Sequence, residues 1–161
     1  NAELTPVVSH EQQQQILAMI EKAREEGANI LTGGYAPDLS GYFVLPTIIE
    51  ATPEMSIAQQ EVFGPVMVIM PFETEDEAVA IANGTDFGLV AGVFGENLNQ
   101  TLRVANRLVA GQVFINEWFA GGIETPFGGV GLSGFGREKG QEAIFSYVQT
   151  RNIGIRLQHN V

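Results

Sequence analysis

Leu89-Val90-Ala91-Gly92-Val93-Phe94, Asn97-Leu98-Asn99-Gln100 and Gly111-Gln112-Val113-Phe114-Ile115-Asn116 follow one another between positions 89 and 116. They read as an apolar strand, a helix start capped by Asn97 with Gln100 three residues on, and a second apolar strand. The helix between them carries Leu98, Leu102, Ala105 and Val109 at helical spacing. The same pattern stands just upstream, where Val66-Met67-Val68-Ile69-Met70 is followed by a capping box at Thr74 with Glu77 and a helix through Ala82. Two successive strand-helix-strand units predict an α/β fold, three layers α/β/α around a mostly parallel sheet. Strands apolar on both faces need helices over both. Ligands of such sheets sit beyond the carboxyl ends of the strands, and Asn116-Glu117-Trp118-Phe119 occupies that position after the last one.

Downstream of that strand the chain becomes glycine-dense, with seven glycines between Gly121 and Gly136. Glycine lets a backbone approach a ligand or another chain segment closely, so a loop of this kind after a buried strand predicts a binding surface. Gly129-Val130-Gly131-Leu132-Ser133-Gly134 matches the G-x-G-x-x-G pattern in form only. A dinucleotide fingerprint needs a strand directly before it and an acid about 20 residues on, whereas Thr125-Pro126-Phe127 precedes this one and no acid follows Glu142.

In the upstream half, Ser9-His10-Glu11-Gln12 has the form of a capping box, and Ile16, Met19, Ile20 and Ala23 continue an amphipathic helix that Gly27 ends. Gln12 to Gln15 reads as a polar helix start without a specific role. Ile30-Leu31-Thr32 predicts a short strand, Pro37 to Gly41 a turn-rich segment, and Tyr42 to Ile49 a second strand. Glu54 to Gln60 predicts a helical turn that delivers Glu61-Val62-Phe63-Gly64-Pro65 to the next strand. At the other end, Arg137 to Val148 predicts a final helix, and Thr150 to Leu157 a β-prone tail with Ile153, Ile155 and Leu157 on one face. No linker or domain boundary is legible before that tail.

The 161 residues are 45% hydrophobic and 17% charged, an ordinary globular balance with enough chain for a substantial core. A formal net charge of -11 repels phosphate backbones and anionic lipid, which argues against nucleic-acid and membrane partners. There is no cysteine, so no disulfide, thiolate metal site or cysteine nucleophile can be built from this chain. No apolar run approaches the ~20 residues that span a bilayer, and the start has no signal-peptide character, so a cytoplasmic location is expected. The first residue is not methionine, as in a processed chain or a piece of a longer one.

Few residues suit chemistry. His10 and His159 are the only histidines, too few for a metal site or a histidine-based triad, and both read as surface residues. Ser133 has Phe135 where a nucleophile elbow requires glycine, so it reads as a turn serine. Glu61, between a helical turn and a buried strand and followed by Phe63-Gly64-Pro65, presents either a carboxylate and an aromatic face to one ligand or an ordinary solvated acid. Arg137-Glu138 reads on its own as a helix-start pair.

Taken together, Glu61 to Pro65, the Asn83 to Phe94 segment, Gly111 to Asn116, and Pro126-Phe127-Gly128-Gly129 running to Ser133-Gly134-Phe135-Gly136-Arg137-Glu138 resemble, in order, the C-terminal half of the aldehyde dehydrogenase superfamily. The resemblance covers nearly the whole chain. It implies that Glu61 binds the nicotinamide ribose hydroxyls of NAD or NADP and that Phe63 contacts the nicotinamide side. It implies a substrate-side wall from Asn116, Trp118 and Phe119 together with Thr125 and Phe127. Glu138 matches a buried acid with a role in proton handling or water ordering, and the Arg137 to Leu157 region resembles a final helix and a strand that docks in a homo-oligomer.

The departures from the family pattern also shape the reading. The dinucleotide-binding domain, the catalytic cysteine, the asparagine that helps stabilise the oxyanion and the general-base glutamate belong upstream of the matched region in the family, and this chain holds none of them. Gly131 stands where many members have lysine. The expectation is therefore residues 1–149 as the C-terminal part of a catalytic domain and 150–161 as an oligomerisation strand, inactive alone, the parent enzyme oxidising an aldehyde to a carboxylic acid through a thioester. A non-catalytic α/β binding or assembly module is the alternative.

Overall fold

The computed structural model describes residues 4–119 and 121–157. It divides into two compact units, residues 1–85 and 86–161, at a point no composition shift marks in the sequence.

The first unit is built on α1 (His10–Glu25). Ser9 accepts from the Gln12 N–H at 3.2 Å, the N-cap the sequence calls for. Ile16, Ile20 and Ala23, at spacings of four and three, are fully buried and form the core with Ala28, Val44, Ile49, Ala51 and Ile57. Burial of each large aliphatic side chain is worth roughly 1.5–3 kcal/mol. Against this face lies a three-stranded sheet in which β1 (Asn29–Thr32) runs antiparallel to β2 (Thr47–Glu50), and β2 parallel to β3 (Val66–Ile69). The strand expected over Tyr42 to Ile49 begins only at Thr47. Phe43 to Pro46 instead have no regular structure, with Gln13 donating to the Phe43 carbonyl at 2.7 Å. The helical turn is α2 (Ser56–Gln59), and α3 (Glu75–Ala82) starts at Thr74, which accepts from the Glu77 N–H.

In the second unit β4 (Phe87–Gly88) pairs antiparallel with β7 (Val130–Gly131), and β5 (Val90–Val93) pairs parallel with β6 (Gln112–Ile115) across α4 (Leu98–Ala105). Val90 faces Gln112 and Val93 faces Ile115 in register, so the downstream strand-helix-strand unit forms as the sequence predicts. Among the described residues β3 has β2 as its parallel partner within the first unit, and the second unit holds the β4-β7 and β5-β6 pairs. Cover is also one-sided. Val66 and Val68 pack on the core, while Met67 and Ile69 on the opposite face of β3 are 60% and 37% exposed.

Two expectations at the C-terminal end are corrected. The helix expected over Arg137 to Val148 is a short 3₁₀ helix, Gln141–Ser146, with no buried residue. Arg137 and Glu138 cannot start a helix, because Glu138 forms an antiparallel bridge with Phe127, N–H to carbonyl in both directions at 2.7 Å. Lys139 and Gly140 then take left-handed φ values of 57° and 59°, which interrupt helical propagation. The tail is no strand either: residues 151–157 have no regular structure, while Ile153, Ile155 and Leu157, which the alternation puts on one face, are all exposed. A lone extended segment gains nothing until its backbone finds an edge to pair with.

Candidate functional site

The glycine-dense loop folds back on its own unit. Glu138 bridges to Phe127, and Arg137 Nη1 donates to the Gly129 carbonyl at 3.0 Å and the Gly136 carbonyl at 2.6 Å, cinching the loop into a closed lap. The lap lies directly on the start of β6: a Cβ on Gly111 would overlap the Gly128 carbonyl. The glycines thus serve close approach between chain segments. Ser133 is a turn serine whose Oγ accepts from the Gly88 N–H at 3.0 Å. Gly131 has φ 60°, and a Cβ there would meet the Asp86 carbonyl, so the β4 and β7 pairing in this chain has no room for a lysine stem without a backbone shift.

Phe119, Thr125, Phe127 and Glu138, four of the residues expected on a substrate-side wall or beside it, line one cleft of about 450 Å³. Gln112 and Lys139 complete its chemistry. Gln112 Nε2 donates to the Pro126 carbonyl at 2.9 Å, and the Lys139 ammonium lies 5.7 Å from the centre of the Phe127 ring. A larger cleft of about 770 Å³ lies under the 3₁₀ segment and shares only Phe127 and Glu138 with the candidate set, so size does not mark the site. The acid expected to be buried, Glu138, has an exposed side chain, and its isolated bridge to Phe127 is the regular pairing that holds it.

Asn116 and Trp118 are placed differently from that cleft. The Asn116 amide accepts from the Gly95 N–H at 2.7 Å and donates to the Gly95 carbonyl at 2.8 Å, adding a side-chain rung beyond the last backbone pair of β5 and β6. Trp118 stacks with Phe119, ring centres 5.7 Å apart and perpendicular, and both approach the buried Phe114. A Cβ on Gly92 would lie 2.9 Å from the Trp118 ring, so this glycine makes the seat for the indole. Asn116 and Trp118 therefore shape the wall rather than line the cleft.

Glu61 and Phe63 belong to the first unit. Both side chains are exposed, Phe63 at 76%, on the loop that leads into β3. Phe63 holds φ 51°, an uncommon conformation for an aromatic residue, and strain of this kind clusters at functional sites. An ionised glutamate is acceptor-only, so the exposed Glu61 offers lone pairs and no donor. His10 is exposed, with its ring 6.1 Å from that of Tyr42, and His159 lies outside the described residues. Among the described residues no cluster of His, Cys, Asp and Glu could hold a metal ion, and no helix is long and apolar enough to cross a membrane.

Sequence reasoning missed Gln12, Gln13, Gln112 and Lys139. A glutamine is read as polar surface until a distant carbonyl is seen to accept from it, and no local signal marks such a partner.

The sequence model of the Aldehyde dehydrogenase family matches residues 1–153. A betaine aldehyde dehydrogenase of Cereibacter sphaeroides is 47% identical over 152 residues, 94% of this chain and 32% of that protein. Among solved structures, betaine aldehyde dehydrogenase from Staphylococcus aureus in complex with NAD+ superposes with a TM-score of 0.87 at 40% identity, covering 91% of this chain and 30% of that one. An aldehyde dehydrogenase of Bacillus cereus gives 0.88 at 41% identity, covering 92% and 30%. The chain thus spans about a third of the length of the curated relatives it matches, 32% of the first.

Proposed function

Because the chain belongs to the aldehyde dehydrogenase family over residues 1–153, we propose that it forms the C-terminal part of the catalytic domain of an NAD(P)-dependent enzyme that oxidises an aldehyde to a carboxylic acid. Residues 1–149 are the domain portion and 150–161 an oligomerisation segment of a cytoplasmic homo-oligomer. The single observation that supports the reading best is the loop of the first unit, which presents Glu61 and Phe63 together, both exposed, with Phe63 held in a left-handed conformation.

The bound cofactor supplies the hydride acceptor. Glu61 accepts hydrogen bonds from the nicotinamide ribose hydroxyls, and the Phe63 ring limits where the nicotinamide can lie. The nucleophilic thiolate lies outside these 161 residues, which hold no cysteine. Phe119, Thr125 and Phe127 wall the aldehyde side and exclude water, Trp118 and Asn116 hold that wall in place, and Glu138 orders water or moves a proton at the rim.

The test is Glu61→Gln in the complete enzyme. Loss of ribose orientation is expected to slow hydride transfer in single-turnover measurements, by up to about 10²-fold, with the fold and melting temperature retained. An unchanged rate removes the cofactor role of Glu61.

A further inference from the structure

Four consecutive glutamines, Gln12 to Gln15, open α1. In a capping box the third residue after the cap turns its side chain back toward the cap's own N–H. Gln12 does something else. Its Nε2 donates to the Phe63 carbonyl at 3.1 Å and to the Val62 carbonyl at 3.4 Å, 51 and 50 positions away. One helical turn later on the same face stands Ile16, fully buried, and Gly64 rests on it so closely that a Cβ there would lie 2.5 Å from Ile16 Cδ1. Two residues of one helix face therefore grip three successive residues of the loop, the first by its two amide protons and the second by shape.

The grip surrounds the residue that needs it. Phe63 at φ 51° is in a region that non-glycine residues occupy only where their surroundings over-determine them. With both flanking carbonyls tied to one amide group and the next residue seated on Ile16, the peptide on each side of Phe63 is fixed. The exposed Phe63 ring and the Glu61 carboxylate are aimed by that backbone.

We infer that Gln12 is a positioning residue for the nicotinamide-facing loop, acting through the Val62 and Phe63 carbonyls. The inference rests on the reading of Glu61 and Phe63 as cofactor-facing and adds the residue that sets their geometry. Gln12 needs its donors for this task. Glutamate at the same position keeps length and shape but offers acceptors to two carbonyls, whereas lysine keeps a donor.

The experiment uses the complete enzyme with Q12A, Q12E and Q12K beside E61Q, and reads the single-turnover rate of hydride transfer, the NAD dissociation constant and the melting temperature. Q12A and Q12E are expected to slow hydride transfer by about 10-fold to 10²-fold, the range of a lost orientation, with a smaller change in NAD affinity and no change in melting temperature. Q12K is expected to recover most of the rate. If Q12A and Q12E run at the wild-type rate while E61Q is slow, the inference about Gln12 is overturned and the cofactor reading stands. If E61Q itself runs at the wild-type rate, the cofactor reading fails and the inference falls with it. A slowed Q12E whose melting temperature falls in step assigns Gln12 a structural role only and also overturns the inference.

Discussion

Phe63, Asn116, Phe119 and Lys139 are the non-glycine residues with left-handed φ among those described, at 51°, 55°, 59° and 57°. The first three belong to the site read from sequence and the fourth lines the same cleft as Phe119. Each such conformation costs on the order of 1–3 kcal/mol and persists only where the local surroundings hold it. Asn116 shows how the cost is met: asparagine tolerates this region better than most residues, and its amide closes both bonds to Gly95. Asn116→Ala is expected to destabilise the chain by about 1–3 kcal/mol, from two partly solvated hydrogen bonds and the lost tolerance for positive φ. Asn116→Gly removes the same bonds but suits the backbone, so urea denaturation is expected to rank alanine as the more damaging replacement. The reverse ranking would show that backbone conformation at 116 is not under strain.

At the scale of elements, α1 organises the first unit from both ends. Its N-terminal turn grips the loop at Val62 and Phe63, and its C-cap Glu26 reaches α2, accepting from the Ser56 N–H at 2.7 Å and the Ser56 hydroxyl at 2.9 Å. These two bonds, the backbone one foremost, hold the Glu26 carboxyl below its ordinary value of 4.5, with a smaller contribution from Lys22. A carboxyl with a lowered folded-state value stabilises the fold above its unfolded value and loses that contribution as pH falls through the folded one. Stability of the wild-type chain is therefore expected to decline below about pH 4.5 more steeply than that of Glu26→Gln, when both are followed by thermal unfolding at a series of pH values. Identical slopes would mean the Ser56 contacts are not retained in solution. The 3₁₀ segment makes the opposite point, since Ile144, Phe145 and Tyr147 are exposed and a six-residue helix has too little internal stability to form without a face to pack on.

For the whole chain, the telling feature is uncovered apolar surface. α4 contacts both of its strands, yet Leu98 and Leu102 remain 61% and 44% exposed. Phe135 and Tyr147 are more exposed still, and large apolar patches mark surfaces meant for a partner. We expect the 161-residue chain to self-associate at micromolar concentration, and a version ending at Gln149 to do so less, because Ile153, Ile155 and Leu157 leave with the tail. Sedimentation velocity on the two decides it, and a strictly monomeric full chain would sink the idea. The chain alone is also expected to oxidise no aldehyde with NAD or NADP, for want of a thiolate, which a spectrophotometric assay at 340 nm checks. Turnover by the purified chain would overturn the division of labour proposed above.

Sequence alone determined the parts of this protein that depend on neighbours three or four residues away. Ser9, Thr74 and Asn97 each cap a helix by accepting from the N–H three residues on, and the strands at 66, 90 and 112 fall within their apolar runs. It also identified the family, because four motifs in fixed order leave little room for chance. What it could not decide were the pairings made across long separations. That β3 takes β2 as its parallel partner, that Gln12 donates to a loop fifty residues away and that Asn116 turns to Gly95 rather than into the cleft all depend on which surfaces meet in space. The C-terminal helix failed for the same reason: periodicity announces an apolar face, but only tertiary packing supplies the burial that makes a short helix stable.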